Sequence, residues 1–261
     1  MRLTVQRADP AGNITLFVLD PVPKENWVRT ASRLMALPGS DVEQVGFVCP
    51  PLPGGTGRRL EMAGGEFCGN AARAFGMLLA HEMGDLPQVR VEVSGCRQPV
   101  TVNVDWFAGT AQAQMPLPQS VEQTQVDGHP GTLVHLGGIV HLVVENIPPS
   151  LEFFQRAEPV LKRITGPEAY GVIFLDPSGN TLTPLVKVPS AGTLMWEGSC
   201  GSGSLAAAIA QSRDLPGGVF LRDYVQPAGV IQASVTRSGG MAVSASIGGP
   251  VTLDSPVVVE L

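Results

Sequence analysis

At 261 residues, 44% of them hydrophobic, the chain is long enough for a sizeable core, and 31 Gly with 23 Pro exclude a helical bundle in favour of short strands and turns. Charged residues are only 15% and the net charge is −6, which argues against nucleic acid or an anionic membrane as partner, because phosphate binding needs a basic surface. No apolar run approaches the roughly 20 residues of a membrane span and no signal-peptide core opens the chain, so the expectation is a soluble, cytoplasmic protein.

In chain order, residues 2–6 and 14–19 read as strands around a "DPAGN" turn, and "PKENWVRTASRLMAL" has helical spacing. "VEQVGFVCP" and "RRLEMA" read as strands, and "GNAARAFGMLLAHEMG" is the clearest helix, stopped at Gly84. "VRVEVSG", "PVTVNVDW" and "AGTAQAQMP" alternate apolar and polar residues, the period of half-buried strands. Over 115–132 the pattern weakens into "MPLPQSVEQTQVDGHPG", a candidate domain boundary. Strands follow near 132–146, a helix near 150–163, strands near 171–175 and 181–188, the helix "GSGSLAAAIAQSR", and strands through 219–260.

The order repeats. "EFCGNAARAFG" at 66–76 and "GSCGSGSLAAA" at 198–208 share Cys-Gly, a small polar residue and then a helix. A helix start leaves unpaired N–H groups and a partial positive charge, which favours a thiolate and should bring the pKa of Cys68 or Cys200 toward neutrality. The following Gly69 or Gly201 permits close backbone approach, and Asn70 or Ser202 adds a side-chain donor. Two such turns can clamp a carboxylate. A thiolate on one side and a thiol on the other can then invert a carbon centre, one removing the α-proton and the other delivering a proton to the opposite face.

Other readings stay open here. Cys49 and Cys96 are expected to be small buried hydrophobes, and four widely spaced cysteines make no disulfide scaffold. With no CxxC and no His in zinc spacing, no metal is expected. A thiol hydrolase is conceivable with His81, His135 or His141 as base, but it gives no reason for a second cysteine. A pyridoxal enzyme needs a Schiff-base lysine, whereas Lys24, Lys162 and Lys187 have surface-type contexts, so no cofactor is expected. A non-catalytic protein that holds a carboxylate metabolite is the remaining rival.

"GGEFCGNAARAF" and "EGSCGSGS", preceded by "DPAGN", resemble the diaminopimelate epimerase superfamily across essentially the whole chain. The resemblance implies an α+β fold of two pseudo-symmetric lobes, each a curved sheet around a central helix, with the active site in the cleft between them. It divides the chain into residues 1–114, to which a C-terminal strand in 250–261 returns, and 115–249. It makes Cys68 and Cys200 the acid/base pair and gives the α-carboxylate to Gly69, Asn70, Gly201 and Ser202. It places Asn13 and Gln44 on the substrate side. A homodimer is expected by the same analogy.

Departures from the superfamily pattern argue against diaminopimelate as substrate. Where its epimerases carry "GNPH" this chain has "GIVH", with Ile139 in place of Asn. The Glu-Arg pair expected before the second Cys is absent from "SAGTLMWEGSC", and no second Asn stands near Tyr170 and Gly171. An amino-acid end bound without those partners would leave charges unpaired, at several kcal/mol. "EQVGF", "EMAGGEFCGNA", "QMP", "LMWEGSCGSG" and "VQPAG" are similar instead to the histidine racemases that supply D-histidine for staphylopine-type opine metallophores. That likeness offers Glu43, or else Glu66 or Glu197, to an imidazole, with Phe67 and Trp196 as apolar walls. His141 is expected to be a satisfied core histidine. Another amino or imino acid is the alternative substrate.

Overall fold

Short alternating stretches become strands, and both Cys-Gly segments become helix starts, in the structure, a computed structural model that describes residues 1–55, 57–164, 166, 168–189 and 192–261. Among these residues the chain is a sheet-dominated α+β protein with eighteen strands and four α-helices. No described helix is long and apolar enough to cross a membrane. Two compact units emerge: residues 1–114 with 248–261, and residues 115–247.

In the first unit β1 (Arg2–Asp9) and β2 (Thr15–Val18) are antiparallel. The tight turn between them puts Ala11 and Gly12 at positive φ, with Gly12 N–H donating to Asp9 Oδ1 at 2.6 Å. Helix α1 (Trp27–Met35) buries Trp27, Thr30, Ala31 and Leu34, one stripe at helical spacing, and Trp27 stacks on Phe47 at 5.0 Å. Crossing over through α1, the chain lays β3 (Gln44–Cys49) parallel to β2, then returns antiparallel as β4 (Arg59–Met62).

Helix α2 (Gly69–Glu82) is buried from Gly69 to Ala80 and packs against β5 (Gln88–Val93), β6 (Val100–Asp105) and β7 (Thr110–Gln114). Its alanines and Gly76 keep it slim enough for this. A Cβ on Gly76 would stand 2.5 Å from Val102.

The second unit opens with the antiparallel run β8 (Ser120–Val126), β9 (His129–His135) and β10 (Ile139–Glu145). Helix α3 (Leu151–Leu161), capped by Ser150 Oγ on the Phe153 N–H at 3.1 Å, crosses to β11 (Ala169–Asp176), parallel to β10. Next come β12 (Thr181–Val188) and β13 (Thr193–Trp196), each antiparallel to the strand before it. Helix α4 (Gly201–Gln211), buried through residues 203–210, packs on the hairpin of β14 (Gly217–Gln226) and β15 (Gly229–Ser238). After β16 (Met241–Pro250), β17 (Thr252–Leu253) and β18 (Val257–Glu260) belong to the first unit and pair with β1.

One pairing order occurs twice. An antiparallel pair, a helical crossover to a parallel strand, an antiparallel return and a cysteine-capped helix describe β1 to α2 and again β9 to α4. Two strands lie where none was expected. β8 falls within the weakly patterned 115–132 stretch because only Val126 in it is buried, so no apolar alternation marks it. All four residues of β13 are exposed, for the same effect.

Candidate active site

In the first unit the functional side chains gather on one atom, Asn13 Oδ1. Gln44 Nε2 donates to it at 2.8 Å, Asn70 Nδ2 at 3.3 Å, and the Cys68 thiol at 3.9 Å. The other end of the amide is fixed too, since Asn13 Nδ2 donates to Glu43 Oε2 at 2.7 Å. Gln44 also donates to Thr15 Oγ1 at 2.7 Å, across the parallel β2–β3 register in which Thr15 stands opposite Gln44. The turn before β2 delivers Asn13, the start of β3 delivers Gln44, and the start of α2 delivers Cys68, Gly69 and Asn70.

In the second unit Cys200 N–H donates to Gln226 Oε1 at 2.8 Å, Gln226 Nε2 donates to Ser204 Oγ at 2.9 Å, and Ser204 Oγ donates to Cys200 O at 2.8 Å. Ser202 Oγ lies 3.5 Å from Cys200 Sγ and 2.8 Å from His141 Nε2. His141 is fully buried, yet its Nδ1 has no hydrogen-bond partner. The expectation of a satisfied core histidine therefore holds for burial and fails for satisfaction. Burial pushes its pKa down to about 3, so the ring is neutral and rests on a residue of the candidate site.

The thiols do not follow the helix-end expectation. Burial raises the Cys68 pKa, outweighing the Ala71 N–H and the Gln44 side chain, which favour the thiolate. Burial raises Cys200 well above its ordinary value, and the charge and hydrogen bonding of Glu197 add to the rise. Loss of water around a sulfur anion is the larger effect in both places. Glu43, although an exposed residue, is likewise shifted up by partial loss of water around its carboxylate, against the opposing Asn13 hydrogen bond. Glu66 is exposed.

The structure thus brings Asn13, Glu43, Gln44, Cys68, Gly69 and Asn70 together in one unit, and Glu197, Cys200, Gly201 and Ser202 in the other. Sequence reasoning missed Arg73, Ser204 and Gln226 as neighbours of these groups. Gln226 lies in "VQPAG", a segment whose resemblance was visible without its hydrogen bond to Cys200. Among the described residues no group of three or more His, Cys, Asp or Glu is arranged to hold a metal ion. The lysines are occupied elsewhere: Lys187 and Lys162 flank Glu158 at 2.6 and 3.2 Å, and Lys24 lies over the Trp27 ring.

Residues 2–256 match the histidine racemase CntK N-terminal domain family. The chain belongs to that family. It is 31% identical to a histidine racemase of Fusobacterium nucleatum, over 77% of this chain and 77% of the relative. It is 29% identical to a histidine racemase of Staphylococcus aureus, over 94% of this chain and 92% of the relative. As a member of the CntK racemase family the protein is an isomerase acting as an amino-acid racemase.

Solved structures share the fold at lower identity. A Pseudomonas aeruginosa protein described as a predicted epimerase superposes with a TM-score of 0.66 at 16% identity, covering 99% of both chains. A hydroxyproline epimerase of Agrobacterium vitis with bound trans-4-hydroxy-L-proline gives 0.64 at 14% identity, covering 99% of this chain and 92% of that one.

Proposed function

We propose that this chain interconverts L- and D-histidine without a cofactor, using Cys68 and Cys200 as the two acid/base residues. The observation that carries the reading is that each cysteine caps a buried helix in almost the same conformation, with its sulfur accepting the N–H three residues on. On this reading the two units are lobes and the substrate lies in the cleft between them. One thiolate takes the Cα proton, becoming a thiol. The opposite thiol gives its proton to the other face of the carbanion, becoming a thiolate, so charge and protons balance and the reverse reaction exchanges the roles.

The helix-start N–H groups with Asn70 and Ser202 receive the α-carboxylate and the charge that develops on it. Asn13 and Gln44 complete the substrate side. Glu43, anchored by Asn13, is the carboxylate assigned to the imidazole, and Glu197 is assigned to the substrate side of Cys200. An opine metallophore as the fate of the product, a homodimer and a cytoplasmic location belong to the same proposal; they rest on the family likeness.

The test is solvent deuterium exchange at Cα of each enantiomer, with no cofactor added. Both L- and D-histidine are expected to exchange while optical rotation decays to zero. Binding of histidine without exchange of either enantiomer would overturn the reading in favour of a carboxylate-binding protein, and exchange with another amino acid in preference to histidine would overturn the substrate.

A further inference from the structure

Arg73, on α2, heads the fully buried side chains by size, with no solvent exposure. A buried guanidinium normally sits against a carboxylate. Here its hydrogen bonds go to neutral oxygens only: Nε to Asn70 Oδ1 at 3.2 Å, and Nη1 to the carbonyls of Gly249 and Pro250 at 3.0 and 2.9 Å. Nη2 is buried with no partner. Among the described residues no carboxylate forms an ion pair with it. The chain therefore keeps a desolvated positive charge, incompletely paired, one helical turn from the cap of α2.

A hydrogen-bonded path leads from that charge to the thiol. Arg73 holds Asn70 Oδ1, which turns Asn70 Nδ2 onto Asn13 Oδ1, the atom that the Cys68 thiol also reaches. We propose that Arg73 is a positioning residue of this site, setting the Asn70 amide through Nε and supplying the buried positive charge that a Cys68 thiolate requires. The proposal rests on the reading of Cys68 as an acid/base group.

It gives the two cysteines different standing. The charged groups that act on Arg73 are Cys68 and Asp9, both attractive to it, while Glu66 opposes ionisation of Cys68. Attraction between Arg73 and a Cys68 thiolate is reciprocal, so it favours both ions. Cys200 faces the Glu197 carboxylate instead. Burial disfavours both thiolates, but Cys68 is therefore the more readily ionised of the two and Cys200 the less. A clamp that merely tied residues 249 and 250 to α2 would impose no such order.

The experiment follows alkylation by iodoacetamide against pH, reading each cysteine separately by peptide mass spectrometry. In the unmodified protein the Cys68 midpoint should lie below the Cys200 midpoint. Arg73→Met should raise the Cys68 midpoint by about one pH unit, a tenfold loss of thiolate at lower pH, and leave Cys200 in place. Arg73→Lys should keep the Cys68 midpoint but raise KM several-fold with a smaller change in kcat, because the charge stays while the bond to Asn70 is lost. An unchanged Cys68 midpoint in folded Arg73→Met overturns the proposal. So does ionisation of Cys200 before Cys68 in the unmodified protein, a result that needs no variant to fold. Alkylation requires no substrate, so this failure is distinct from failure of the deuterium-exchange test.

Discussion

Cys68 and Cys200 hold nearly the same backbone conformation, φ −120°, ψ 114° and φ −125°, ψ 107°, and their sulfurs accept the N–H groups of Ala71 and Gly203 at 3.4 and 3.3 Å. Each stands at the cap position, where a side-chain acceptor satisfies one orphan donor of the helix. Serine makes the same cap, so exchanging sulfur for oxygen removes the proton-transfer group and spares the fold. Cys68→Ser and Cys200→Ser should each slow racemisation by about 10²–10⁴-fold with unchanged circular dichroism. Full activity of either variant in a chiral chromatography assay would sink the two-thiol scheme.

The residues after the two caps differ at their third position. Ala71 fits on α2, but a Cβ on Gly203 would stand 2.7 Å from Ile173 Cδ1 and 3.2 Å from Cys200 Sγ. Gly203→Ala should therefore cost about 1–3 kcal/mol in urea unfolding, and it should lower kcat because the sulfur is displaced. Ala71→Gly is the control, expected to cost about 1 kcal/mol or less with little change in kcat.

Asn13 gathers the first unit's site, accepting from Gln44, Asn70 and Cys68 through one oxygen and donating to Glu43. Asn13→Ala leaves those partners without their shared acceptor in a half-buried setting. The expected outcome is a stability loss of about 1–3 kcal/mol and a KM at least tenfold higher, read by thermal unfolding and steady-state kinetics. An unchanged KM would remove Asn13 from the substrate side.

His141 gives a pH signature. Its folded pKa of about 3 lies below the ordinary 6.5, so the unfolded chain binds the extra proton first as pH falls. The stability that this neutral ring contributes is complete above about pH 6.5 and is lost progressively toward pH 3. His141→Asn cannot take up that proton. Its melting temperature should fall less steeply than that of the unmodified protein between those limits. Parallel curves would show that the ring is not buried neutral.

Much of this protein could be read along the chain. Duplicated Cys-Gly helix starts, the strand alternation and the small-residue face of α2 are local, because capping, periodicity and side-chain size act between neighbours a few residues apart. β8 and β13 escaped because exposed strands carry no apolar period, and the thiol pKa direction was misread because a helix end is visible in sequence while burial is not. Long-range partners were hidden for a related reason. Only folding brings Gln226 to Cys200, 26 residues away, and Gly249 to Arg73, 176 residues away. By itself, the sequence determined that two cysteines would cap two helices. The tertiary structure decided which charges surround each sulfur, since electrostatics depends on distance and loss of water rather than on position along the chain.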